Sequence, residues 1–144
     1  MAHARQQIRD AVVAALTTAA IAGGRIYSGH VYRLSTLPAV NVTTPAEERD
    51  EDKSANDADA FAVVIAVNIH AAAASDLDDT LDALAAAIHQ TMAGDSTLAG
   101  LVTVLSLLET ETELEDEAKT PHGRLTMRWG ALYHVSPTDP ESLV

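Results

Sequence analysis

Apolar residues recur along this chain with two different periods. Between residues 3 and 21, Ile8, Val12, Ala15, Leu16 and Ala19 return at the three- and four-residue spacing of a helix, and Gly23-Gly24 supplies a stop. Arg5 and Arg9 fall on its outer side. Residues 26–34 read as extended, with a turn-like Ser28-Gly29 inside, and Leu37-Pro38 leads into a short β-branched strand at 39–44. Residues 61–70 (FAVVIAVNIH) alternate strictly. Phe61, Val63, Ile65, Val67 and Ile69 share one face and the smaller Ala62, Val64 and Ala66 the other, so both faces are expected to be at least partly covered.

The helical period returns at residues 76–93, where Leu77, Leu81, Leu84, Ile88 and Met92 form one apolar stripe that Gly94 ends. Ser75 is the expected cap, and Asp76, Asp78 and Asp79 suit the positive end of the helix dipole. Residues 101–113 then predict a long strand, apolar in its first half, with Glu109, Glu111 and Glu113 alternating beyond. Residues 124–133 return with Leu125, Met127, Trp129, Ala131 and Tyr133 on one face, giving an antiparallel hairpin with an acidic loop. Residues 135–144, with Pro137 and Pro140, read as a tail without regular structure. The order predicts one α+β domain over residues 1–134: a four- to five-stranded mixed sheet, two helices on one face and a long C-terminal hairpin. Leu81, Leu84 and Ile88 are expected to pack on Ile65, Val67 and Trp129.

Charge changes this picture in two places. The chain has 144 residues and a net charge of −12, with 21 acids against 9 Lys and Arg. Residues 47–59 hold seven acids and two bases, and residues 109–119 hold six acids and one base. The rest is nearly neutral. Such segments bury little apolar surface, so 46–59 reads as a flexible acidic insertion and both segments as mobile in the free subunit, with plain solvated loops as the simplest role. So acidic a chain, with only five aromatic residues, is a poor ligand for nucleic acid. No apolar run approaches the roughly 18 residues that span a bilayer, and the N-terminus lacks the apolar core of a signal peptide. Zero Cys excludes thiolate metal sites and a thiol nucleophile, and a chain of this length needs neither for stability.

Catalytic chemistry leaves little trace. The six histidines have no metal-ligand spacing, and phosphate loops, nucleophile elbows and dinucleotide fingerprints are absent. Asp76, Asp78, Asp79 and Asp82 lack the spacing and glycine of a calcium loop. Two other readings stay open: a small metal-dependent hydrolase using the Asp76–Asp82 cluster with His89, and an acidic mimic of DNA.

The helix ending in GGRIY, the arm VYRLSTLPAVNVTT, the strand FAVVIAVNIH, the helix LDDTLDALAAAIHQTM and the hairpin strands LVTVLSLLETETELE and RLTMRWGALY together resemble the tail terminator proteins of long-tailed phages, the minor tail protein U-like group. The resemblance spans about residues 3–134, with an acidic 47–59 insertion longer than the family pattern. It implies a virion protein at the head-proximal end of the tail, assembled in the host cytoplasm, that closes into a homo-hexameric ring in the virion and can be monomeric in solution. That ring would cap the completed tube of major tail tube protein and meet the head-tail connector. DNA would pass through without specific binding, and no cofactor, metal, catalytic residue or membrane is implied. On this reading Glu47, Glu48, Asp50, Glu51, Asp52, Glu109, Glu111 and Glu113, with Arg5 and Arg9, are the candidate interface or lumen residues, the acids lowering affinity for phosphate. Another neck or tail-completion protein at the head-tail junction is the nearest alternative.

Overall fold

The computed structural model describes residues 2–30, 36–55, 57–73, 75–115 and 120–144. Helix α1 (Ala4–Thr18) and a short 3₁₀ turn (Ile21–Gly24) precede three strands, β1 (Ile26–Ser28), β2 (Ala39–Arg49) and β3 (Asp59–Ala72). Helix α2 (Leu77–Ala93) follows, then β4 (Val104–Glu115), β5 (His122–Ser136) and β6 (Asp139–Leu143). The sheet runs β1-β2-β3-β5-β4, and β6 pairs with β5. Only the β1/β2 pair is parallel, so the sheet is mixed, as expected. It has six strands rather than four or five.

Alternation decides which face is buried. Val40 and Val42 of β2, Val63, Ile65, Val67 and Ile69 of β3, and Leu125, Met127, Trp129, Ala131 and Tyr133 of β5 share one face. They form one cluster with Ile8, Val12 and Leu16 of α1 and Leu81, Ile88 and Met92 of α2. Both helices therefore cover the same face. Leu81 and Ile88 are fully buried as the stripe predicts, whereas Leu84 is only partly buried at its margin. Gly123 permits the close approach of α2: a Cβ there would lie 2.9 Å from Leu81 Cδ1.

Four expectations change. The first helix ends at Thr18, not at residue 21, because the chain turns through left-handed conformations at Ala20 (φ 55°) and Ala22 (φ 51°) to bury Ile21 and Ala22. Asp76, not Ser75, is the N-cap of α2; it is left-handed (φ 59°) and its side chain caps no N–H. The acidic 46–59 segment is not a loop throughout. Residues 46–49 continue β2 and pair with 61–64 of β3, because an irregularity between Thr43 and Ala46 absorbs Pro45, which has no N–H to give to the ladder. Residues 139–143 are a strand, since β5 extends past β4 and its free edge takes up Leu143 opposite Val135. Val144 N donates to His134 O, and Gln7 of α1 donates to Glu141 O, which holds the terminus against the first helix.

Ala20 directly follows the C-cap of α1, where glycine is usual because an L side chain in the left-handed region is strained. Ala20→Gly is therefore expected to stabilise the protein by about 0.5–1 kcal/mol, the relief of strain exceeding the extra freedom of glycine in the unfolded chain. Urea denaturation measures it; a loss of stability would mean that the strain is absent.

Candidate functional site

The face of the sheet away from the helices is a ladder of polar side chains. One cross-strand row runs Asn41, Asn68, Thr126, Glu111; its neighbours run Ala39, His70, Arg124, Glu113 and Thr43, Ala66, Arg128, Glu109. Thr126 Oγ1 donates to Asn68 Oδ1 at 2.8 Å, and Asn68 Nδ2 reaches the Asn41 carbonyl at 3.5 Å. Asn41 Nδ2 donates to the Gly29 carbonyl at 3.1 Å, so its Oδ1 is the acceptor and His70 Nε2–H the donor at 2.8 Å. Burial first, and the nearby Arg124 guanidinium second, hold the His70 imidazole below its ordinary pKa. This network ties β1, β2, β3 and β5 together on the side that carries no helix.

The acidic row expected along the hairpin is present, and β5 answers it. A shift of register between Leu107 and Glu109 leaves Leu108 unpaired in β4, so the odd-numbered residues that face the core at 105 and 107 face outward from 109 onward. Glu109, Glu111 and Glu113 thus stand opposite Arg128, Thr126 and Arg124. Arg128 Nη1 lies 3.5 Å from Glu109 Oε2 and 3.1 Å from Glu111 Oε2, and Arg124 Nη2 lies 2.7 Å from Glu113 Oε2. These pairs are exposed, and each contributes at most about 1 kcal/mol. Arg124, Thr126 and Arg128 repeat with the same two-residue period as the acids, a signal already in the sequence, but the unpaired Leu108 that sets the register is not legible there.

The acids of the first segment divide. Glu47 turns inward: Tyr133 Oη donates to its Oε2 at 2.5 Å, and Arg5 Nε lies 3.5 Å from its Oε1. Three elements, α1, β2 and β5, thereby meet at one carboxylate. Burial, then the hydrogen bond and charge of Glu47, push the Tyr133 phenol above its ordinary pKa. Nothing in the spacing of residues 5, 47 and 133 announces this contact. Asp50 caps the hairpin turn by accepting from Lys53 N, while Glu48, Glu51 and Asp52 are exposed at the hairpin end. Arg9 donates to Ser28 Oγ at 2.8 Å and is likewise engaged within the chain.

A cavity of about 320 Å³ opens at the end of the polar face, lined by Leu37, His70, Ala71, Glu113, His122, Gly123 and Arg124. Among the described residues no group of three or more His, Cys, Asp or Glu is placed to hold a metal ion. His70 and His89 do not meet. His89 lies on α2 with its ring edge-on to Trp129 at 5.4 Å, on the helix side of the sheet, whereas His70 is on the polar side.

These features define an α+β domain whose polar side chains lock strands together and whose remaining charge is displayed at a hairpin end and along a sheet edge, the equipment of a protein that works through its surfaces. The phage minor tail protein U family matches residues 3–132, nearly the whole chain, and the protein belongs to that family. Its role is accordingly that of a structural phage tail component, in contact with other parts of the virion. No curated protein matches. Among solved structures, a chain from the virion of a native gene transfer agent (GTA) particle is similar, with a TM-score of 0.49 and 19% identity over 90% of this chain and 92% of the other.

Proposed function

We propose that this protein caps the completed tail tube as a homo-hexameric ring and forms the joint to the head connector. Membership of the minor tail protein U family carries the reading. The fold is compatible with ring closure: one face of the sheet is covered by both helices and the other is not, so a copy offers unlike surfaces to its two neighbours, the arrangement that a heterologous ring requires. One ring face would match the last ring of tail tube protein and the other would reject further tube subunits.

The exposed Glu48, Glu51 and Asp52 are the best candidates for a DNA-repelling lumen, because they have no buried partner, whereas Glu47 is held by Tyr133 and Arg5. The row Glu109, Glu111 and Glu113 is largely neutralised by Arg124 and Arg128, and it suits an interface better than a lumen. Deleting the gene is expected to give tails of uncontrolled length, and cryo-microscopy of intact particles to place this chain in six-fold register at the head-proximal tail end. Tails of normal length that fail to join heads would support a neck or tail-completion protein instead.

A further inference from the structure

We propose that β4 is a docking edge that receives an extended, basic strand from a different virion protein by β-strand addition. The inference rests on the reading of the chain as an assembly component, not on which end of the ring faces the tube. Strand β4 has 12 residues, lies at the end of the sheet order, and pairs only with β5 among the described residues, so one side of its backbone donors and acceptors meets no other strand. Long free edges are templates for another strand. Apolar side chains line this one: Val104 is 47% exposed, Leu108 62% and Leu114 53%, three of the five large exposed hydrophobic residues among the described residues. Leu108, displaced by the break in register, lies across Gly130, where a Cβ would come within 3.0 Å of its Cδ1.

Charge selects the occupant. On the outer face of the edge, Glu109, Glu111 and Glu113 share two guanidinium groups, and Glu109 and Glu111 divide one between them. A strand added along β4 would place its own side chains directly opposite this row, at the cross-strand distance where opposite charges attract and like charges repel. A second β4 in antiparallel pairing across the glutamate half would set acid against acid. Nor do the described residues of another copy offer a free arginine: Arg5, Arg9, Arg25, Arg49, Arg124 and Arg128 all have partners in their own chain, and Lys53 follows Asp50, Glu51 and Asp52 at the opposite hairpin end. The occupant that fits is a strand that alternates basic and apolar residues, to satisfy the glutamates on one face and Leu114 on the other. In the free subunit the same acids discourage β4 from pairing with itself, so the edge is kept open for its partner.

The test uses the full chain and two synthetic peptides, one alternating lysine with valine and one of the same sequence with every second backbone nitrogen methylated. The unmethylated peptide is expected to slow amide exchange within residues 104–115, and the methylated one, equal in charge but unable to complete a ladder, to leave it unchanged. Replacing Glu109, Glu111 and Glu113 together by Gln, which leaves the strand geometry and cannot repel Arg124 or Arg128, is expected to weaken the peptide's binding by roughly tenfold or more. Equal binding of the two peptides, protection at residues 50–59 instead of β4, binding undiminished in the Gln variant, or no binding by the native chain would each overturn the proposal. Concentration-dependent protection of β4 without any peptide would also overturn it, by making a second copy the occupant. These readouts come from the isolated chain, so they stand or fall separately from the tail-length assay that tests the ring.

Discussion

Trp129→Ala is expected to destabilise the protein by about 3–5 kcal/mol, enough to remove a large part of the stability of a domain of this size. Trp129 is the largest of the fully buried side chains, lies opposite Ile65 on β3 and Leu107 on β4, and meets His89 of α2 edge-on. Truncation would open a cavity where the second helix joins the two central strands, and the surrounding strands, held by long ladders, can collapse into it only in part. Trp129→Phe should cost far less than this. The indole Nε1 is buried without a hydrogen-bond partner among the described residues, and an unpaired buried donor is itself destabilising, so removing it offsets part of the lost contact area. Urea denaturation of both variants checks the pair; similar losses would show that the orphaned N–H carries no penalty. Leu84→Ala, at the margin of the same helix face, should fall well below Trp129→Ala because Leu84 is only partly buried.

The second large effect is expected at the junction of Arg5, Glu47 and Tyr133. Tyr133→Phe leaves the Glu47 carboxylate without its hydroxyl donor in a largely shielded position, and should cost about 1–3 kcal/mol at neutral pH. Glu47→Gln should cost less, since the amide still accepts from the hydroxyl, and a double-mutant cycle between positions 47 and 133 should show that the two losses are not additive. The pair also has a pH signature. The folded-state pKa of Tyr133 is raised above the unfolded value of 10.0, so the folded chain holds this proton more tightly. Its contribution is complete below about pH 10 and is lost as pH rises toward the folded pKa. Native protein should therefore lose stability above pH 10 more steeply than Tyr133→Phe, as alkaline denaturation curves would reveal; parallel curves would exclude the linkage.

The two predictions differ in how far they could be reached from the sequence. Trp129 stands in an alternating run, Leu125 to Tyr133, whose burial follows from period two alone, and the α2 stripe that covers it follows from period 3.6. The helix cap was harder to place, because Ser75 and Asp76 are both acceptable caps and the choice depends on how the chain arrives from β3. β6 was hidden by Pro137 just before it and Pro140 within it, which argue against a strand unless it lies at an edge where a missing N–H is harmless. The acidic 46–49 stretch was hidden by charge: it reads as a loop until β3 proves long enough to pair with it.

Local pattern by itself determined the α+β class, the two amphipathic helices, the central strands and the sharing of one outward face by Glu109, Glu111 and Glu113, because each follows from the fixed geometry of helix and strand applied to neighbouring residues. Which charges find partners was decided only by tertiary structure. Residues 5, 47 and 133 meet through the packing of a helix on two strands, and the acids of β4 face Arg124 and Arg128 through a register set by one unpaired residue, Leu108. A shift of one position in a ladder reverses every side chain beyond it, and no local preference in the sequence records where such a shift occurs.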